Sequence, residues 1–208
     1  MSPKVFFQTQ LDELIRDCLY GQMHFRAWQK INEALRRKTE ALEVSPLFFN
    51  STLLAHLNST RLHLFRLLDT WKGAISIFDL IEYANKNKVS IFKNIGEFDV
   101  LYEQHKKRLN SFENLIKSLP EQRNKGIYHK SKDYITRGFD KLYEEYKTTY
   151  SDYDKILGAI GEILNDYLGL LEDREYSLKF VDEDIEFYNL LHFIVKVMEA
   201  ADKEDRNL

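Results

Sequence analysis

The stretch Leu53–Tyr83, LLAHLNSTRLHLFRLLDTWKGAISIFDLIEY, packs a helix, a turn and a second helix start into one short run. Leu54, Leu57, Leu64, Phe65 and Leu68 recur at helical spacings and form one stripe, without the alternation of a half-buried strand. Just upstream, Ser45 is suited to cap a helix and Pro46 to open it, so the spacing predicts a helix from there to about Leu68. In DTWKGAIS the chain turns with Gly73 as pivot. Ser76 then caps the helix IFDLIEYANKN, with Asp79 three residues on in a capping-box position.

The same period extends outward in both directions. From Phe7 to Glu43 the apolar positions Leu11, Leu14, Ile15, Cys18, Trp28, Ile31 and Leu35 predict a long helix, with Gly21 as a bend or break. A loop through Gly96 leads to a helix over Phe98 to Lys117, which Ser118 and Pro120 interrupt. Residues Ser131 to Thr149 read as either helix or ordered loop. Ser151 caps the next helix, DYDKILGAIGEILNDYLGLLEDR, and Asp182 or Glu183 begins the last. Gly158 and Gly161 in GAIG fall inside a helical pattern and read as close helix packing. No repeat, linker or composition shift divides the chain, so the expectation is one all-α domain over 1–208, a bundle of about five to seven helices.

Bulk composition agrees. The 208 residues are 44% hydrophobic and 30% charged, the balance of a globular chain able to bury a core. Only 3 prolines and 8 glycines leave little material for the turns of an all-β fold. A net charge of −3 argues against coating nucleic acid by bulk electrostatics but leaves room for a local basic patch. A single cysteine, Cys18, excludes an intramolecular disulfide framework. The N-terminus meets charges too early for a secretory signal, and no apolar run approaches the ~20 residues of a membrane span. A cytoplasmic protein without membrane contact is the expectation.

One local basic stretch stands out. Between Gln104 and Lys132 lie eight cations (Lys106, Lys107, Arg108, Lys117, Arg123, Lys125, Lys130 and Lys132), opposed within that span by Glu113 and Glu121 alone. At its centre is RNKGIYHK, residues 123–130. Other chemistries have less support: no Gly-rich phosphate loop follows a strand, and no Cys/His spacing suggests zinc. His56 and His63 lie ~10 Å apart along one helix, too far for a shared metal. They read, with His24, His105 and His192, as structural or surface residues. No metal and no cofactor is expected.

Arg123, Asn124 and His129 suit metal-independent cleavage of an RNA phosphodiester. The ribose 2′-hydroxyl attacks the adjacent phosphorus, a histidine moves the proton, and an arginine neutralises charge on the phosphoryl oxygens. Asn124 can orient the histidine or bond a phosphate oxygen. On an ideal helix Arg123 and His129 point ~120° apart and stand ~9 Å apart along the axis. Their meeting requires a helix loosened at Gly126, or a second copy across a two-fold axis. By residue pattern alone, a solvated basic face is the simpler account.

Arg123-Asn124 followed by His129 resembles the signature of the HEPN superfamily, an Arg, four to six residues, then His, with a polar residue after the Arg. The surrounding helices are similar to its abortive-infection U-type (AbiU2-like) branch. The resemblance rests on Leu53–Tyr83, on RNKGIYHKSKD and on YSDYDKILGAIGEILNDYL, and spans roughly 47–189; residues 1–44 form an N-terminal helix or helix pair outside it. It implies an HEPN-like helical bundle, a homodimer with its active site at the interface, and RNA cleavage in phage defence or a toxin–antitoxin system, where an antitoxin protein is a further partner. It also implies Arg123 and His129 as the catalytic pair, with Asn124, Lys125 and Lys130 as supporting or phosphate-binding residues. The alternative is a non-catalytic HEPN-like module that binds RNA or protein.

Overall fold

Helix-favouring sequence becomes helix throughout the computed structural model, which describes residues 1–36, 45–71, 73–122, 149–172 and 196. Six helices are described: α1 Pro3–Arg36, α2 Pro46–Leu67, α3 Ile77–Ile91, α4 Ile95–Asn110, α5 Glu113–Gln122 and α6 Tyr150–Glu172. No strand occurs among the described residues. The fold is all-α, as the periodicity predicts.

By contact, the chain divides into Met1–Gln22 with Arg61–Lys179, and Met23–Thr60 with Phe180–Leu208. In the first unit, Phe7, Leu11, Leu14 and Cys18 of α1 are buried, as are Leu64 and Leu67 of α2 and Ile77 and Leu80 of α3. From α6 come Tyr153, Ile156, Ile160, Ile163, Leu164 and Tyr167. Aromatic rings lock this core: Phe92 stacks on Phe98 at 4.8 Å, and Phe7 meets Phe92 and Tyr167 edge-on at 5.4 and 5.5 Å. Each such pair adds ~0.5–1.5 kcal/mol beyond its burial. In the second unit Phe25, Trp28, Ile31, Phe49 and Leu57 are buried, with Phe25 stacked on Trp28.

The helix starts follow local chemistry. Ser76 is extended (φ −136°, ψ 169°), accepts the Asp79 amide, and donates its hydroxyl to Asp79 Oδ2 at 2.8 Å. Gly73 adopts φ +105° in the preceding turn, the left-handed region that favours glycine. Asn94 caps α4 by accepting the Glu97 amide. Thr149, not Ser151, caps α6: its hydroxyl accepts the Asp152 amide while Asp152 Oδ2 accepts the Thr149 amide at 2.7 Å, a reciprocal box.

Other readings change. The helix expected over Phe98–Lys117 is two helices. Ser111 Oγ donates to the Arg108 carbonyl at 2.6 Å and the Phe112 amide bonds Leu109, tightening the last turn of α4. Pro120 does not interrupt the second of them, since α5 runs on to Gln122; its missing N–H costs a single backbone bond. Leu54, placed on the buried stripe, is 59% exposed. The other four, Leu57, Leu64, Phe65 and Leu68, are buried, joined by Thr60 and Leu67, and Leu54 lies ~60° to the side of Leu57. Gly21 neither bends nor breaks α1: a Cβ there would stand 3.0 Å from Leu157 Cδ2 and 3.3 Å from His63 Cβ, so glycine serves close packing. Gly158, read as a packing glycine, is exposed, and a Cβ there would meet nothing within 4 Å, whereas Gly161 is buried. Residues 37–44, 131–148, 173–174, 182–195 and 197–200 of the predicted elements lie outside the described residues.

Candidate functional site

The basic stretch begins on α4, and its described cations are largely committed. Arg108 Nη1 meets Glu162 Oε2 of α6 at 2.6 Å, and Lys117 meets Glu113 one turn away at 2.5 Å. Lys106 Nζ lies 5.1 Å from the centroid of the Tyr102 ring, and Lys107 is exposed. The opposing acid is therefore larger than the local sequence shows, because Glu162 belongs to a distant helix. α5 ends at Gln122, the residue before the motif. Arg123, Asn124, Lys125, His129 and Lys130 lie outside the described residues, as do Tyr128, Lys132 and His192.

The described histidines have partners that linear spacing hides. His105 is 1% exposed, with Nε2 2.9 Å from Asp166 Oδ2 and its Nδ1 buried without a hydrogen bond. Its ring meets Tyr167 edge-on at 5.0 Å; the Tyr167 hydroxyl is also buried without a partner. Burial above all, then Tyr102, Asp166 and Glu82, holds that hydroxyl protonated. His105 and Arg108 on α4 thus face Asp166 and Glu162 on α6 in antiparallel order. The spacings i, i+3 on one helix and i, i+4 on the other were the available signal.

His63 Nδ1 stands 2.9 Å from Asp17 Oδ1, and Arg66 Nη1 reaches the same oxygen at 3.1 Å. Asp17 is 8% exposed, so the Arg66 cation and the His63 ring supply the partners that a buried carboxylate needs. His24 and His56, read as separate structural or surface residues, bring their Nδ1 atoms to 2.9 Å. Cys18 is buried, its thiol pushed up to about 12, chiefly by burial, which makes it a core residue and no nucleophile.

A cavity of about 510 Å³ opens beside Phe6, Gln10, Ile75, Asp79, Tyr83 and Lys86. No described helix is long and apolar enough to cross a membrane.

Helix order, caps and the position of α5 before the motif can be set beside known proteins. No curated protein and no solved structure matches the chain. The AbiU2 family model, HEPN_AbiU2, matches residues 6–189, a span that takes in parts or all of the six described helices and the whole of RNKGIYHK. The helical architecture and a match over most of the sequence agree: the chain belongs to the AbiU2 family of HEPN domains.

Proposed function

We propose that this protein is a metal-independent endoribonuclease acting in phage defence or a toxin–antitoxin system. The observation that carries the reading is the family match over residues 6–189, which includes the Arg-x5-His spacing of Arg123 and His129. His129 acts as general acid/base, taking the 2′-hydroxyl proton or supplying one to the departing 5′-oxygen. Arg123 stabilises charge on the phosphoryl oxygens as the 2′-oxygen bonds to phosphorus. Asn124 orients the histidine or bonds a phosphate oxygen, and Lys125 and Lys130 hold the flanking phosphates.

A homodimer supplies the cleft, since two copies related by a two-fold axis bring two Arg and two His together. RNA is the substrate, the site takes no cofactor, and an antitoxin protein is a partner in the toxin–antitoxin setting. The reading also places the protein in the cytoplasm.

The test is incubation of purified protein with mixed RNA in EDTA, beside Arg123→Ala and His129→Ala. Cleavage that leaves 2′,3′-cyclic phosphate ends and disappears in both variants supports the proposal. RNA binding without cleavage, unchanged in His129→Ala, removes the enzyme and leaves a binding module.

A further inference from the structure

In the unit formed by Met1–Gln22 with Arg61–Lys179, α1 and α3 both contribute walls to the cavity of about 510 Å³. Asp79, Glu82, Tyr83 and Lys86 recur at i, i+3, i+4 and i+7, and Phe6 and Gln10 stand four residues apart, so each set shares one side of its helix. The Phe6 and Tyr83 rings meet at 4.9 Å, tilted by 54°, and form an aromatic wall. Gln10 is 7% exposed, and its Oε1 is buried without a hydrogen bond. A buried acceptor without a donor is costly, and a ligand that supplies one relieves the loss. Asp79 Oδ2 accepts from the Ser76 hydroxyl and Glu82 Oε1 from the Tyr102 hydroxyl. Each of these exposed carboxylates keeps its second oxygen for another donor.

We propose that this cavity binds a small organic cation of the guanidinium class. Its lining supplies acceptors in excess of cations: two carboxylates ~4.5 Å apart along α3 and the Gln10 oxygen on α1, against the single ammonium of Lys86. A guanidinium is planar, permanently charged and rich in N–H donors, so it meets acceptors from two helices at once and lays its face on an aromatic ring. An ammonium is a more strongly hydrated point charge and has no flat face. A turn of the Gln10 amide about its last side-chain bond brings Oε1 to a ligand N–H. Ala74 and Ile75, in the turn before α3, offer apolar surface to the ligand's hydrocarbon part. An anionic ligand would meet two carboxylates for one ammonium, so a phosphate carries the wrong charge for this cavity. The proposal is independent of the RNA-cleavage reading.

The test is titration of the purified 208-residue chain with n-butylguanidinium, beside its uncharged isostere n-butylurea, followed by nuclear magnetic resonance. The cation should saturate one site, and the urea should bind about tenfold more weakly. Glu82→Gln removes a charge without changing shape and should weaken binding about threefold. Gln10→Leu should weaken it about tenfold, while the thermal midpoint holds or rises because an orphaned polar group leaves the core. Lys86→Ala removes the competing cation and should tighten binding about twofold. Equal binding of the two compounds overturns the proposal, as does the absence of saturable binding by the cation. Weaker binding in Lys86→Ala overturns it as well, since that residue would then be holding an anionic group.

Discussion

A methyl group tells Gly21 of α1 and Gly158 of α6 apart. At Gly21, a side chain would press on Leu157 Cδ2 at 3.0 Å and His63 Cβ at 3.3 Å. At Gly158, it would meet nothing within 4 Å. Gly158→Ala should therefore gain ~0.5–1 kcal/mol from helix propensity and a less flexible unfolded chain. Gly21→Leu should lose ~1–3 kcal/mol or more through overpacking. Urea midpoints of the two variants check both signs, and a stabilised Gly21→Leu would refute the close-packing account. Cys18 offers a second residue-scale test. Its raised pKa keeps the thiol neutral in the folded state, so this stabilisation is fully present below the ordinary value of 9.0. It is lost as pH climbs from there through about 12. Iodoacetamide at pH 8 should leave Cys18 untouched in folded protein and label it fully in denaturant.

Helix ends and helix pairs differ in how legible they were. Caps are local, so Ser76 with Asp79, and the turn at Gly73, could be read directly from residues three apart. The buried face of α2 was less legible, because Leu54 and Leu57 look alike in sequence and only packed neighbours decide which is covered. Fully buried Thr60 shows the same limit from the other side: it takes a core position while its hydroxyl donates to the His56 carbonyl at 2.9 Å. Partners across helices were not legible, since His105 and Asp166 stand 61 residues apart. Losing Asp166 would leave His105 buried with neither ring nitrogen bonded. Asp166→Ala should thus cost ~1–3 kcal/mol, well above the ~0–1 kcal/mol of the more exposed Lys88–Asp99 pair. Chemical denaturation of Asp166→Ala beside Lys88→Ala measures the difference, and equal losses would contradict the buried-partner argument. Ser76→Ala, which removes a buried cap from α3, should fall between them at ~1 kcal/mol.

For the whole chain, membership in the family rests on residues 6–189 together, while the catalytic proposal rests on seven of them, 123–129. That asymmetry explains why fold was more legible than site. An all-α architecture is written redundantly in every amphipathic helix, whereas Arg123 and His129 acquire meaning only from the distance between them. On one ideal helix that distance is unfavourable, so cleavage should depend on assembly of two copies. Mixing makes this quantitative. If each catalytic pair in the shared cleft draws its Arg from one protomer and its His from the other, a mixed dimer of Arg123→Ala and His129→Ala holds one intact pair and one empty one. Random exchange makes about half of all dimers mixed, so an equimolar mixture should recover about a quarter of wild-type cleavage from two inactive proteins. The measurement is RNA cleavage before and after subunit exchange, with the native mass followed in parallel. A dimer that exchanges without recovering activity would place Arg and His in the same protomer and require the helix to loosen around Gly126. A monomer that cleaves RNA would dispense with the shared cleft altogether.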